Sequence, residues 1–255
     1  MLIKDRGIIL KQINTGEADK IVTILTQHNG KLKAVMKGCR KPKSRFVGIA
    51  EQFVVSELVL FKGSGDLFRV SQGEIKESYY NLRSDLLKLS YASYFAELAE
   101  IVAEEEVQSE KLFFDLVWAL HFLNTGKAGL GLTSLTYLLK LMELSGYKPM
   151  LLHCANCHEE VRDSEVFSVS LGGMLCKGCS WTEKKPMKLS VPARLNMLQL
   201  LALNMPSLAE QAVGDAEFRA SPRVAWSKSH VGKWHCFHVH SNARKPGCLG
   251  GAAKG

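Results

Sequence analysis

The stretch GEADKIVTILTQHNGKLKAVMKGCRKPKSR, residues 16–45, decides how the first third of this 255-residue chain is read. "KIVTILTQ" is rich in β-branched residues, and the Asn29-Gly30 pair behind it favours a tight hairpin. "KLKAVMKG" then alternates apolar with basic residues, the period of a strand buried on one face. In such a strand Leu32, Ala34 and Met36 point inward, while Lys31, Lys33 and Lys37 point out. The strand rise sets Lys31 and Lys33 about 6.6 Å apart. Arg40, Lys41, Lys43 and Arg45 continue the positive track through a loop that Pro42 is expected to hold extended. Residues 31–45 thus carry seven basic side chains and no acidic one. A line of cations on a small barrel suits a nucleic-acid backbone. A lysine-rich edge that discourages strand pairing would give the same pattern.

Working outward, "RGIILKQI" precedes this stretch, and "EQFVVSELVLF" and "LFRVSQGEI" follow it. Five short strands separated by turn residues predict a small closed barrel over residues 1–80. An OB-fold is the natural candidate, and an SH3-like barrel fits the pattern almost as well. Phe46, Phe53, Phe61 and Phe68 lie in this segment and could stack bases or pack the core.

The period changes after residue 80. Leu87, Tyr91, Tyr94, Leu98 and Ile101 form one helical stripe. Leu112, Leu116 and Leu120 form a second, after a start signal at Ser109. Leu135, Leu138, Leu139 and Met142 form a third, with Gly146 placed to end it. Glu104-Glu105-Glu106 is expected to be a solvated helix end. Val191 to Ala212 reads as helix again, with Pro192 in its first turn. The expected fold class is α+β and multidomain: an OB-fold barrel at 1–80, and a helical domain at 81–150 and 183–212. A four-cysteine zinc module at 151–182 is inserted into the helical part.

That module rests on Cys154-Ala-Asn-Cys157 and Cys176-Lys-Gly-Cys179, with eighteen residues between the pairs. Two C-x-x-C turns at this spacing supply four thiolates about 2.3 Å from a tetrahedral zinc ion. Four cysteines close the site, whereas a catalytic zinc keeps a position open for water. "CANCH" also fits a c-type haem attachment, which belongs to exported proteins, and a C-x-x-C pair can be a redox dithiol. His158-Glu159-Glu160 followed by Cys176-x-x-Cys179 resembles zinc deaminases, but Leu175 stands where their proline would be. On that pattern Cys154 and Cys157 have no role.

Charge is uneven. The net charge is +8 and the pI near 9.1. Residues 1–80 carry 14 Lys and Arg against 8 Asp and Glu, whereas residues 81–150 carry 6 against 9. A basic first segment points to an anionic partner. The start MLIKDRGIIL lacks the apolar core of a secretory signal, and no apolar run of about 18 residues indicates a membrane span. A cytoplasmic protein is expected, where paired cysteines more often hold metal than form disulfides. No G-x-x-x-x-G-K-[ST], G-x-S-x-G or H-E-x-x-H motif is present. Cys39 reads as a small buried hydrophobe. From residue 213 to 255 no apolar period persists, which predicts an atypical, poorly ordered tail. A reading-frame slip would give the same pattern. His235, Cys236, His238 and His240 offer weak grounds for a second metal cluster there.

Taken together, Gly16-Glu17, Asp19, Leu25-Thr26, Gly30, Lys37-Gly38, Arg40 and Ser44-Arg45 resemble the N-terminal signature of the RecO family of bacterial recombination mediators. "YFAELAE", "LFFDLVWAL" and "LLKLMELSGYKP" resemble its helical domain, and the four cysteines match its zinc-bearing members. The resemblance spans residues 1–212 and departs from the family at the C-terminus. It implies single- and double-stranded DNA binding, strand annealing and no enzymatic turnover. It also implies partnership with RecR, contact with the acidic C-terminal tail of single-stranded DNA-binding protein, and help to RecA in replacing that protein, in the cytoplasm at the nucleoid. A zinc-dependent nucleic-acid enzyme of deaminase or nuclease type is the alternative from another class. A zinc-ribbon adaptor that binds only protein is a third.

Overall fold

Five strands close on themselves in the order β1-β2-β3-β5-β4, with β1 Leu2–Thr15, β2 Asp19–Thr26, β3 Lys31–Met36, β4 Val55–Lys62 and β5 Phe68–Glu77. All neighbours are antiparallel except β3 and β5, which run parallel. This is the OB-fold topology, which selects that barrel over the SH3-like alternative. The structure, a computed structural model, describes residues 1–63, 65–210, 224–228 and 234–238. The fourteen-residue β1 closes the barrel by serving two partners: Leu2–Ile8 pairs with β4 and Gly7–Thr15 with β2. A bulge between Ile9 and Lys11 bends it from one to the other. Where β1 turns, a side chain on Gly7 would stand 2.6 Å from the Ile24 methyl, so only glycine fits.

Inward residues alternate as the strand period requires. Ile3, Ile9, Val22, Ile24, Leu32, Ala34, Met36, Leu58, Leu60, Phe68 and Val70 fill the interior. Cys39, Phe46, Ile49 and Ala50, from the β3–β4 connection, join the same core. Burial pushes the Cys39 thiol up, as befits a packed apolar residue.

The β2–β3 connection departs from a two-residue hairpin. Gln27–Gly30 form a four-residue loop, with Gly30 at φ 66° and Thr26 N–H donating to the Gly30 carbonyl. Asp5, buried on β1, fixes this loop: its Oδ2 accepts from His28 N (3.0 Å), Asn29 N (3.1 Å) and Asn29 Nδ2 (2.7 Å). Asn29 is thus spent on Asp5, not on a turn of its own. Because a bond to a charged group contributes about 1.5–3 kcal/mol, and three part-buried donors lose their partner together, Asp5→Ala is expected to cost roughly 2–3 kcal/mol. Urea unfolding would measure it, and a loss below about 1 kcal/mol would rule the anchor out.

The helices follow the barrel: α1 Tyr80–Arg83, α2 Leu86–Val102, α3 Glu110–Thr125, α4 Leu130–Leu144 and α5 Val191–Ala202. Asp85 caps α2 through Leu87 N (2.9 Å) and Lys88 N (3.1 Å). The expected stripe of α2 is displaced. Ala92, Phe95, Ala96, Leu98 and Ala99 are buried, whereas Leu87 and Ile101 are exposed. Alanines on the inner face let the neighbouring helices approach, so size complementarity overrides the larger side chains. Leu112, Leu116 and Leu120 of α3 are buried as expected. On α4, Leu139 and Met142 are buried, but Leu132, Thr136 and Tyr137 take the places expected of Leu135 and Leu138. Tyr137 donates to the Phe95 carbonyl at 3.2 Å, and the two rings lie 4.6 Å apart. α5 ends at Ala202, well short of residue 212, and 3-10 turns follow over Met205–Glu210 around Pro206, which cannot extend an α-helix. Buried Lys140 of α4 donates to the Leu201 carbonyl at 2.6 Å, capping α5.

Between α4 and α5 lie three short strands, β6 Val166–Ser168, β7 Gly173–Leu175 and β8 Met187–Lys188, in the order β7-β6-β8. The architecture is therefore α+β, with an OB-like barrel, a helical region and a cysteine-bearing sheet. Val224–Lys228 and Trp234–His238 pair as two antiparallel strands. Beyond these two strands, the expectations for 213–255 lie outside the described residues.

Candidate nucleic-acid interface and metal centre

The four cysteines converge. Their sulfurs all lie within 4.8 Å of one another, and Cys157 Sγ is 3.7 Å from Cys176 Sγ. Sulfurs about 2.3 Å from a central tetrahedral ion would be about 3.8 Å apart, so the set fits zinc. Each C-x-x-C forms a tight turn: His158 N–H donates to the Cys154 carbonyl and Cys179 N–H to the Cys176 carbonyl. His158 closes the first turn at φ 64°. Cys176 N–H points at Cys154 Sγ (3.4 Å), and Asn156 Nδ2 at Cys179 Sγ (3.3 Å). Burial pushes the Cys154 thiol up, but the amides of Cys157, Cys176 and Asn156 outweigh it and hold the thiol at about 6. The Glu159 amide lowers the Cys157 thiol, but the neighbouring sulfurs outweigh it and push it up to about 12, and the Cys179 thiol is raised too. A thiolate is the form that binds metal.

This grouping uses Cys154 and Cys157 equally with Cys176 and Cys179, which the deaminase-like pattern does not. His153 and His158 are not part of the cluster, and Glu160 is paired with Arg162 at 3.0 Å. Buried Arg194 of α5 ties the sheet to the helices through the carbonyls of Val161 (2.8 Å) and Arg162 (2.5 Å).

On the barrel, the basic residues fall into three groups. Lys31 and Lys33 meet the last turn of α2 and the segment that follows it. Lys31 Nζ donates to the Glu100 carbonyl (2.8 Å), and Lys33 Nζ pairs with Glu105 at 2.5 Å. Backbone bonds join the same places: Lys31 N–H donates to the Glu104 carbonyl and Glu106 N–H to the Lys31 carbonyl. Lys62 pairs with Glu106. The acidic run is exposed, but it docks on the barrel edge and is not merely solvated. The hydrogen bond to Glu105 holds the Lys33 ammonium above its ordinary value, and the same bond from Lys33 holds the Glu105 carboxyl below its own.

Arg40 and Arg45 brace the β3–β4 loop. Arg40 Nη1 reaches the Gly16 carbonyl (3.4 Å) and Arg45 Nη2 the Ser71 carbonyl (2.8 Å). The loop is not extended, as Pro42 had suggested. Lys41 N–H bonds the Gly38 carbonyl, and Ser44 N–H bonds the Lys41 carbonyl. Pro42 sits second in that latter turn, where its fixed φ is favoured. Lys37, Lys41 and Lys43 form the third group. They are exposed and make no side-chain bond or ion pair among the described residues.

Phe46, Phe53 and Phe68 are core, but Phe61 is 47% exposed. Its cross-strand partner is Arg69 on β5, and Arg69 in turn is opposite Val35 on β3. A cleft of about 300 Å³ forms there, lined by Lys37, Arg45, Phe46, Phe61, Arg69 and Ser71 among others. Arg69 was not legible from the sequence as part of the basic face. It joins Lys37 only through the parallel β3–β5 pairing, which no local pattern encodes.

Among the described residues no helix is long and apolar enough to cross a membrane. Comparison with known proteins places these features in one group. Residues 1–79 match the family model described as recombination protein O N terminal, and residues 83–224 match recombination protein O C terminal. The DNA repair protein RecO of Alkaliphilus metalliredigens (strain QYMF) is 38% identical over 213 residues, covering 84% of this chain and 86% of that protein. That of Shouchella clausii (strain KSM-K16) is 38% identical over 192 residues, covering 75% and 74%. That of Acetivibrio thermocellus is 33% identical over 215 residues, covering 84% and 85%. With both halves matched in order on an OB-like barrel and a helical region, the chain belongs to the recombination protein O family.

Proposed function

We propose that this protein is a DNA-binding recombination mediator; the names of its relatives carry a role in DNA repair. The observation that carries the reading is the cationic face of the barrel. Of Lys31, Lys33, Lys37, Arg40, Lys41, Lys43 and Arg45, Lys33 alone pairs with a carboxylate among the described residues. These seven side chains meet the backbone of single- or double-stranded DNA and support annealing of complementary strands. Zinc, held by Cys154, Cys157, Cys176 and Cys179, has a structural role, and the protein works without catalytic turnover. RecR and the acidic tail of single-stranded DNA-binding protein are its protein partners in loading RecA, at the nucleoid in the cytoplasm; family membership supports these. The chain divides into a barrel at 1–80, a helical domain at 81–150 and 183–212, and the zinc module at 151–182.

Annealing of two complementary oligonucleotides tests the reading. Replacing Arg40, Lys41 and Lys43 together by alanine is expected to weaken DNA binding on the order of tenfold, evenly across sequences, and to slow annealing. Undiminished annealing by the folded variant would refute the assignment. Lys33 must leave Glu105 to reach a phosphate. Glu105→Gln is therefore expected to tighten DNA binding a few-fold at low salt, an effect that fades as salt screens the exposed pair. Unchanged affinity at low salt would exclude Lys33 from the interface.

A further inference from the structure

Phe61 is an oddity in a barrel that buries its other phenylalanines. It lies in an antiparallel row with Leu2 on one side and Arg69 on the other, and all three side chains are exposed. The same row continues through Val35, and Lys37, just past the end of β3, lines the same cleft as the ring. The opposite wall is already braced: the Arg45 guanidinium lies 4.9 Å from the Phe46 ring centre and bonds the Ser71 carbonyl. Neither Lys37 nor Arg69 makes an ion pair among the described residues. An aromatic face with two uncommitted cations on one side of it, Arg69 beside the ring and Lys37 beyond, lines a cleft of about 300 Å³, at the small end of the range for ligand sites. A duplex keeps its bases stacked inside and would offer one to such a cleft only at an unstacking cost of a few kcal/mol.

We propose that this cleft holds one nucleotide of unpaired DNA, the base stacked on Phe61 and the flanking phosphates met by Lys37 and Arg69. The inference rests on the reading of the barrel face as a DNA interface and adds to it a device for telling single strands from duplex. The cations serve both forms of DNA, and the ring serves only the unpaired one. Stacking tolerates any base, so no sequence preference is expected.

The test is fluorescence anisotropy with an oligothymidylate and, separately, a duplex of mixed sequence. Phe61→Ala is expected to weaken oligothymidylate binding roughly 5- to 100-fold, the usual effect of losing one stacking platform. Duplex affinity should change less than twofold, and the salt dependence should keep its slope because no cation is lost. Phe61→Trp should restore oligothymidylate affinity. Lys37→Ala and Arg69→Ala should each weaken both DNAs and flatten the slope. Equal loss for both DNAs in Phe61→Ala, or no loss for either, would overturn the stacking role. If the Arg40, Lys41 and Lys43 variant also binds like the wild type, the DNA-face reading fails as well. If that variant weakens while Phe61→Ala does not, only the cleft assignment fails. Since Phe61 is half-exposed, an unchanged melting temperature in Phe61→Ala confirms that binding, not folding, is read.

Discussion

Cys176→Ser is expected to reduce bound zinc from one ion per chain to none. Four sulfurs lie within 4.8 Å, two of them already at the 3.7 Å separation a tetrahedral ion requires, and among the described residues no fifth ligand joins the group to replace the lost thiolate. Structural zinc contributes about 10–16 kcal/mol of binding energy in isolated finger peptides, so this change has the largest expected effect. The damage should stay local. The three strands of the module pair over only a few residues, and the barrel and α2–α4 have cores of their own. Metal analysis alongside amide exchange would show zinc absent and fast exchange over residues 151–189, with slow exchange kept in β1–β5. Retained zinc in the variant, or no zinc in wild-type protein purified without chelator, would contradict the assignment.

Gly30→Ala comes second. Gly30 sits at φ 66°, which costs an alanine about 1–2 kcal/mol. A Cβ there would stand 2.1 Å from the Val107 carbonyl oxygen and 2.7 Å from its nitrogen, backbone atoms that no rotamer can clear. The chain after α2 would have to leave the β3 edge and give up the Lys31–Glu104 and Glu106–Lys31 bonds. With about 0.5–1.5 kcal/mol for each, the total destabilisation is expected to be about 2–5 kcal/mol in denaturant unfolding. A loss below about 1 kcal/mol would mean the two segments are not packed this way.

How much of this was legible in the sequence differs by level. The barrel was, because β-branched runs with period two and turn residues between them report local structure directly. So was the cysteine cluster, because each C-x-x-C turn is local and the metal needs both. The face of α2 was not. A count of large apolar residues misses that Ala92, Ala96 and Ala99 are the ones permitting close packing. Nor was the docking of Glu104–Glu106 on Lys31, Lys33 and Lys62, since nothing in an acidic run names its distant partner. Phe61 and Arg69 form a pair only once the β4–β5 register is known. Pro42 misled for a related reason: it restricts the residue before it, yet hydrogen bonds from Lys41 and Ser44 decide the path of the loop.

The central claim is that the barrel's cations bind DNA by displacing counterions from phosphates. Single-strand affinity should be measured across a range of salt concentrations for the wild type and for a variant with Lys37, Lys41 and Lys43 replaced by alanine. Each phosphate neutralised contributes about 0.7 to the slope of log affinity against log salt, so the variant's slope should be shallower by roughly 2. A slope unchanged in a folded variant would contradict the account and leave these lysines as a solvated edge.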